Sequence, residues 1–246
     1  MFVIEGKRAL ITGGSAGLGA AVAQALAAKG ARIAINYSSN AERAQQTLSG
    51  LAGQGHVLVQ GDVFSHDGIK EVVAKAQKEL NGAIDIVISN AGWTKFAPFT
   101  DLNAVADADW EKMYRANVLS HLWLAQATEA DLKKTGGSFL ISASVAGLRP
   151  SGSSMAYSVS KAALVHLTKC LAKALAPSAR VNAVAPGLIL TDWSAGFTKE
   201  QIDFATNAAA LKKTSELDDL ANTFVSLAEN SSITGQIVEV SAGLGL

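Results

Sequence analysis

Two patterns of apolar residues alternate along the chain. Short apolar runs of strand length are separated by longer stretches in which apolar positions recur with helical spacing. Strands that are apolar throughout and alternate with helices are typical of a parallel sheet buried between two layers of helices. The predicted strands span Arg8–Thr12, Ala31–Asn36, His56–Gly61, Ile84–Ser89, Gly137–Ser142, Arg180–Ala185 and Gln236–Val240. The predicted helices span Leu18–Lys29, Ala41–Ala52, Asp67–Leu80, Asp107–Lys134, Met155–Ala176, about Lys199–Leu211, and Ser215–Glu229.

The chain contains no internal repeat, low-complexity tract or charged linker that would mark a boundary between domains. We therefore predict one α/β domain over residues 1–246, with a Rossmann-type, doubly wound parallel sheet of seven strands and helices on both faces. One irregular segment, Pro186–Thr198, is apolar and too long for a tight connection. Segments of this kind often act as lids, so we predict a substrate-loop region at about 186–212.

The composition excludes several classes of function. The 21 basic and 21 acidic side chains cancel, so the chain has no excess positive charge for a nucleic-acid backbone or an anionic membrane. Cys170 is the only cysteine, which excludes an internal disulfide and a zinc site built from cysteines, and the four histidines show no ligand spacing. The N-terminus carries no readable secretory signal. We expect a cytoplasmic protein that binds no metal, nucleic acid or membrane.

The segment Thr12–Gly19 (TGGSAGLG) ends a predicted strand and opens a predicted helix. Backbone N–H groups at a helix start favour a pyrophosphate, and glycines allow the backbone to approach it closely. The spacing differs from the general G-x-G-x-x-G fingerprint, and a purely structural strand-to-helix turn is the alternative. A nucleotide P-loop is excluded because no Gly-Lys-Ser/Thr follows.

Tyr157 and Lys161 lie four positions apart on a predicted helix, and hence on the same face. A fixed positive charge favours the phenolate, so the lysine is expected to lower the pKa of the tyrosine toward the working pH. The alternative is an ordinary amphipathic pair. Ser144 ends a strand at the carboxyl edge of the sheet, where its hydroxyl can meet a substrate carbonyl. Asn117 lies within a long helix, and a buried amide there needs partners.

Together these segments resemble the short-chain dehydrogenase/reductase family in its compact single-domain form, nearly from end to end. The matching motifs are TGGSAGLG at Thr12–Gly19, Asp62-Val63, Asn90-Ala-Gly92, Asn117-Val118, Ser144, Tyr157-x-x-x-Lys161, and Pro186-Gly187 with Thr191. The resemblance implies catalysis by Tyr157 as general acid–base, with Ser144 polarising the carbonyl. It also implies that Lys161 holds the nicotinamide ribose and that Asn117 fixes a water that passes protons to the lysine.

The same resemblance implies a set of cofactor contacts. Asp62 and Val63 would meet the adenine, and the Ile189 backbone and Thr191 would clamp the nicotinamide carboxamide and the diphosphate. The predicted cofactor-binding residues are Gly13, Ser15, Gly17, Leu18, Gly19, Asn36, Ser38, Asp62, Val63, Asn90, Gly92, Tyr157, Lys161, Pro186, Gly187, Ile189 and Thr191.

The end of the second strand indicates the choice of cofactor. An acidic residue there would bind both ribose hydroxyls and repel a 2′-phosphate, but none is present in 31–40. Asn36 and Ser38 offer neutral donors instead, and Arg43 is the nearest positive charge. Ala16 stands where NADP-preferring relatives often carry a basic residue. We predict NADP as cofactor, with NAD as the alternative.

We predict NADP(H)-linked interconversion of a carbonyl and a secondary alcohol on a small or medium, mainly apolar substrate. The chain is similar to the 3-oxoacyl-carrier-protein reductase branch, which is the alternative, but the turn 176–179 lacks the arginine expected to grip a carrier protein. A third hypothesis is a non-catalytic module that senses dinucleotides. The aromatic residues Trp93, Trp193, Phe197 and Phe204 can wall an apolar pocket or serve as core or dimer packing. Small residues on the two long helices allow packing against a second copy, and the resemblance to this family implies a homotetramer or homodimer.

Overall fold

Seven parallel strands form one sheet in the computed structural model, which describes all 246 residues. The strands are β1 (Arg8–Ile11), β2 (Arg32–Tyr37), β3 (Val57–Gln60), β4 (Ile86–Ser89), β5 (Ser138–Ser142), β6 (Arg180–Pro186) and β7 (Ile237–Val240). Their order is β3-β2-β1-β4-β5-β6-β7, so the chain winds outward from the centre in both directions. The carboxyl ends of β1 and β4 flank the point of reversal, where ligands bind in open sheets. The predicted fold class is confirmed.

Helices cover both faces of this sheet. They are α1 (Gly17–Ala28), α2 (Ala41–Ser49), α3 (His66–Glu79), α4 (Asp107–Tyr114), α5 (Ser120–Thr135), α6 (Met155–Leu175), α7 (Lys199–Ala208) and α8 (Leu217–Glu229). Alternate strand residues face opposite layers: Leu10 packs with α3, α5 and α6, whereas Ile11 packs with α1 and α8. No helix has the combination of length and apolar character needed to span a membrane.

The predicted helix Asp107–Lys134 is continuous in the structure, but its middle turn is not α-helical. A π-helical turn at Arg115–Leu119 separates α4 from α5. This wide turn contains Asn117, whose side chain is hydrogen-bonded to neighbouring segments, and apolar periodicity does not reveal such an interruption. Elsewhere the predicted element ends differ from the structure by a few residues. A short helical turn, Asp192–Gly196, lies within the predicted irregular segment.

Candidate active site

The carboxyl ends of β1, β4 and β5 are tied together by polar side chains. The Thr12 hydroxyl oxygen accepts hydrogen bonds from the amides of Asn90 and Ala91 at 2.9 and 3.1 Å. Asn90 Nδ2 donates to the Thr12 carbonyl at 3.1 Å, and Asn90 Oδ1 accepts from the Ser142 hydroxyl at 2.9 Å. Asn90 therefore holds three strand ends in register, and most of its polar capacity is used within the protein.

The turn after β1 requires its glycines for two reasons. Gly13 and Gly17 adopt positive φ angles of 61° and 51°, a backbone conformation that residues other than glycine rarely adopt. Gly19 packs directly on the turn, and a Cβ there would lie 2.4 Å from the Gly13 carbonyl oxygen. The first turn of α1 can therefore lie closer to the end of β1 than any side chain would allow.

The start of α1 has the properties of an anion site. The backbone N–H groups of residues 15–19 have no acceptor in the protein, and Ala16 at the N-cap has no side-chain oxygen to supply one. The first turn of α1 also lacks acidic residues. Free N–H groups and the helix dipole attract a phosphate at such a position. These residues fit the diphosphate of a dinucleotide.

A cavity of about 1070 Å³ joins this turn to the other predicted site residues. Its lining includes Ser144, Tyr157 and Lys161 together with Gly13, Ser15, Gly17, Leu18, Asn36, Ser38, Asp62, Val63, Asn90, Gly92, Pro186, Gly187, Ile189 and Thr191. Of the predicted site residues, Gly19 and Asn117 do not line it; both lie behind its wall.

Asn36 has a structural task that the sequence does not reveal. Its side chain is buried, and Nδ2 donates to the carbonyl oxygens of Val59 at 3.2 Å and Gly61 at 3.1 Å. Oδ1 accepts from the Gly13 amide at 3.3 Å. The prediction that Asn36 offers a donor to a 2′-phosphate is therefore wrong, because its amide hydrogens join β2 to Val59 in β3 and to Gly61 just after it. Ser38 is exposed and lines the cavity.

The segment after β5 and helix α6 bring three of the candidate catalytic side chains together. Ser144 follows β5, and its Oγ accepts from the Ala146 amide at 3.1 Å, which caps a short helical turn. Tyr157 lies in the first turn of α6, where Ser154 Oγ caps the helix by accepting from the Tyr157 amide at 3.3 Å. Lys161 follows one turn later on the same face. All three candidate catalytic side chains line the cavity.

Lys161 is buried and engaged with the end of β5. Its Nζ donates to the Ser142 carbonyl at 2.8 Å and lies 5.8 Å from the centre of the Tyr157 ring. Burial disfavours the ammonium form and lowers the pKa of Lys161 to about 7. The lysine is therefore poised to gain or lose a proton near neutral pH.

The pKa of Tyr157 moves in the direction opposite to the prediction. Burial disfavours the phenolate and raises the pKa of Tyr157 to about 12, although a hydrogen bond with the Ser144 side chain acts in the lowering direction. Lys161 does not contribute to the shift, so the prediction that it lowers the tyrosine pKa is wrong for this structure. The physical reason is that both groups are desolvated, and the lysine itself is readily neutral.

Asn117 supports the site from behind. Its Nδ2 donates to the Trp93 carbonyl at 2.9 Å and to Ser160 Oγ at 3.1 Å, and its Oδ1 accepts from the Trp93 amide at 2.8 Å. These bonds join the π-helical turn to the segment after β4 and to α6, next to Lys161. Its role in fixing a water stays a prediction.

The segment 187–212, called here the cavity loop, supplies aromatic side chains to the cavity. The side chains of Trp193, Phe197 and Phe204 all line the cavity. The ring of Trp193 lies 6.2 Å from that of Tyr157, and Phe197 packs edge-on against Phe96 at 4.9 Å. An apolar substrate group can therefore contact aromatic carbon close to the tyrosine hydroxyl.

Two findings at the cavity wall differ from the sequence analysis. Trp93 does not line the cavity; its ring lies beneath Lys112 Nζ at 4.2 Å. The wall also contains residues 151–153 and the C-terminal Leu244 and Gly245, which the sequence analysis did not propose. Residues 151–153 precede Tyr157 closely in the chain, and this proximity is a signal in the sequence that they lie near the site. The C-terminal residues carry no such signal, because only the tertiary fold returns them to the site.

Comparison with known proteins supports this geometry. The family model described as short chain dehydrogenase matches residues 7–202. A protein named as ketoacyl reductase 2 of the granaticin polyketide synthase, from Streptomyces violaceoruber, is 34% identical over 98% of this chain and 97% of its own length. A 3-oxoacyl-(acyl-carrier-protein) reductase from Staphylococcus epidermidis is 29% identical over 97% of this chain and 98% of its own length.

Among solved structures, a short chain dehydrogenase from Burkholderia cenocepacia in complex with NADP is similar, with a TM-score of 0.89 and 31% identity. The match covers 99% of this chain and 100% of that chain. The chain therefore belongs to the short-chain dehydrogenase/reductase family, and it is an NAD(P)-dependent oxidoreductase that interconverts CH–OH groups and carbonyls.

Proposed function

We propose that the protein is an NADP(H)-dependent ketoreductase acting on a small or medium, mainly apolar substrate. The observation that carries the proposal is the placement of Ser144, Tyr157 and Lys161 in one cavity, between the glycine turn and the aromatic side chains of the cavity loop. A non-catalytic sensor of dinucleotides has no need of this catalytic set.

In carbonyl reduction, Tyr157 donates the proton. With its pKa raised to about 12, the hydroxyl is protonated at neutral pH, although burial makes it a weaker acid than an ordinary tyrosine. The Ser144 hydroxyl, which accepts from the Ala146 amide and is hydrogen-bonded with Tyr157, can donate to the substrate carbonyl oxygen and stabilise the developing negative charge. Lys161, with a pKa of about 7, replenishes the proton of the tyrosine. When bound, the nicotinamide supplies or accepts the hydride.

Charge and shape favour a neutral substrate. The three basic residues that line the cavity already have partners in the protein: Arg43 pairs with Asp192, Arg149 with Glu239, and Lys161 with the Ser142 carbonyl. A substrate carboxylate would therefore have to displace an existing partner. Apolar substrate surface buried against the aromatic side chains of the cavity loop instead contributes favourable binding free energy.

The alternative function is reduction of a 3-oxoacyl group on an acyl carrier protein. The similarity to the Staphylococcus epidermidis reductase favours it. The turn 176–179 (APSA) contains no basic residue to bind an acidic carrier protein, which favours a free small molecule. Measuring kcat/KM on a free ketone and on the same acyl group attached to carrier protein separates the two functions.

Preference for NADPH is the second part of the proposal. Support comes from the absence of an acidic residue at the end of β2, where Ser38 is exposed and Arg43 lines the cavity. Because the Asn36 side chain is bonded to the backbone, Ser38→Asp is the cleaner test of this position. We expect Ser38→Asp to shift the ratio of kcat/KM toward NADH through repulsion of the 2′-phosphate.

The decisive experiment is cofactor oxidation measured on a panel of apolar ketones with NADPH and with NADH. We expect turnover with NADPH that exceeds turnover with NADH. Absence of turnover on every ketone, together with tight cofactor binding, would support the sensor function. Equal efficiency with the two cofactors would contradict the NADPH preference while leaving the reductase function in place.

We also propose a homotetramer, with a homodimer as the alternative, working in the cytoplasm. On α6, Ala162 and Ala174 are exposed and Ala163 is half-buried, which leaves a small-residue surface for packing against a second copy. Ala172, also predicted to take part, is buried against the protein's own core. Light scattering at micromolar concentration tests the assembly, and the mass of a monomer would contradict it.

A further inference from the structure

Arg43 and Asp192 join two separate walls of the cavity. Arg43 lies in the first turn of α2, just after β2, and Asp192 begins the short helical turn after β6. Their side chains form an ion pair, with 2.9 Å between Nη1 and Oδ2, and both residues line the cavity. The pair therefore connects α2 to the cavity loop.

The backbone on both sides of this ion pair is held in place. Asn40 Oδ1 caps α2 by accepting from the Arg43 amide at 2.9 Å. On the opposite side, Ser194 Oγ accepts from the Thr191 amide at 3.1 Å and donates to the Thr191 carbonyl at 2.8 Å. The guanidinium and the carboxylate are thus presented to each other from two fixed helical starts.

Arg43 is also the basic residue that a 2′-phosphate would need. Of the three basic residues lining the cavity, Lys161 lies at the catalytic end and Arg149 is paired near the C-terminus. Arg43 follows the exposed Ser38 at the end of β2, where the adenosine ribose lies in the proposed function. A 2′-phosphate and the Asp192 carboxylate would therefore compete for one guanidinium.

The relative strengths of the two contacts decide the result of this competition. The arginine and aspartate side chains are 44% and 86% exposed, so their attraction is weakened by solvent and salt. A phosphate dianion carries more negative charge than a carboxylate and can bind the guanidinium through two parallel charge-assisted hydrogen bonds, whereas the ion pair with Asp192 has one contact at 2.9 Å. The phosphate should displace the Asp192 carboxylate from Arg43. Breaking the ion pair lowers the affinity for the phosphate, and the displaced carboxylate stays nearby and repels it.

We propose that Asp192 is a specificity-determining residue that lowers the affinity for 2′-phosphorylated dinucleotides by competing for Arg43. This inference rests on the proposed NADP(H) preference. Competition by Asp192 makes that preference smaller than Arg43 alone would give. A dinucleotide without the 2′-phosphate leaves the ion pair intact, so its binding does not include this cost.

The test measures binding without turnover, with 2′,5′-ADP and 5′-ADP as probes in isothermal titration calorimetry at low salt. In Asp192→Asn we expect 2′,5′-ADP to bind about threefold to tenfold tighter and 5′-ADP to change less than about twofold. Asp203→Asn is the matched control, because that exposed aspartate of the same loop pairs with Lys199 and does not line the cavity. In an Arg43→Gln background the gain from Asp192→Asn should vanish, since the shared partner is gone.

Two results would overturn the inference: unchanged binding of 2′,5′-ADP in Asp192→Asn, or an equal gain for both probes, which would indicate general repulsion of the diphosphate. Failure of the proposed cofactor preference has a different signature. Wild-type protein would then bind the two probes equally, and a selective gain for 2′,5′-ADP in Asp192→Asn would still support the competition for Arg43.

Discussion

Two walls of the same cavity are built in opposite ways. One wall, called here the floor, is formed by Asn90, Ser142 and Lys161, with Thr12 bonded to Asn90 behind it. Its polar groups are bonded to one another or to backbone within the protein. The opposite wall is the cavity loop, in which α7 buries none of its residues and Phe204 is 76% exposed.

This difference separates chemistry from selection of the substrate. A buried network whose groups are satisfied holds reacting groups in fixed positions, and a change there costs both geometry and stability. An exposed apolar side chain on a loop can be replaced with little cost to the fold. We therefore expect changes in the floor to alter turnover, cofactor binding and stability, and changes in the cavity loop to alter substrate preference.

The largest effect should follow from removing the proton donor that stands above the floor. Tyr157→Phe should lower kcat for ketone reduction by at least roughly a hundredfold, because the proton is lost, while the Kd of NADPH changes little. Steady-state kinetics and cofactor fluorescence measure the two quantities. Tyr114→Phe, on the exposed surface of α4, is the control. A variant that retained more than about a tenth of wild-type kcat would refute the assignment.

The second prediction concerns the cost of burying Lys161 in the floor. The lysine loses its proton near pH 7 in the folded protein, instead of near its ordinary pKa of 10.5. Between these values the unfolded chain binds more protons than the folded protein, so the free energy of unfolding should rise with pH. The slope should reach up to about 1.4 kcal/mol per pH unit.

Lys161→Met should remove this rise between about pH 7.5 and 9. Urea unfolding at fixed protein concentration measures it, and Lys169→Met, at an exposed position of α6, is the control. If the free energy of unfolding of Lys161→Met keeps the wild-type pH dependence, the lysine is not the group responsible.

A third change breaks the close packing behind the floor. Gly19→Ala should weaken binding of NADPH by at least about tenfold, because the added Cβ displaces the turn whose free amides form the proposed diphosphate site. Calorimetry measures the Kd. Gly50→Ala is the matched control, since a Cβ there meets no atom closer than 3.6 Å. Wild-type affinity in Gly19→Ala would show that the turn can relax without loss.

The smallest effect is expected in the cavity loop. Phe204→Ala should raise KM for bulky apolar ketones by a few-fold, roughly 1 kcal/mol, and leave KM for small ketones and the Tm nearly unchanged. Leu102→Ala, 78% exposed and outside the cavity, is the control. Equal changes for large and small ketones, or a clear fall in Tm, would mean that the loop is part of the structural core.

Much of the architecture could be predicted because it depends on local patterns. The sequence predicts all seven strands from mainly apolar runs, since the strands buried on both faces at the centre of the sheet carry few polar residues. The π-helical turn at Arg115–Leu119 was not expected, because the apolar spacing passes through it unbroken. Within that turn, Asn117 is hydrogen-bonded to Trp93 and Ser160, which lie far away in sequence.

The sequence by itself determined the fold class, the glycine turn and the spacing of Tyr157 and Lys161, because each depends on residues close together in the chain. Only the tertiary structure decided which polar groups are bonded within the protein and which are available to a ligand. Folding bonds the Asn36 side chain to the backbone at the end of β3, raises the pKa of Tyr157, and pairs Arg43 with Asp192. These outcomes depend on burial and on partners distant in sequence, since the state of a polar or charged group is set by what surrounds it in space.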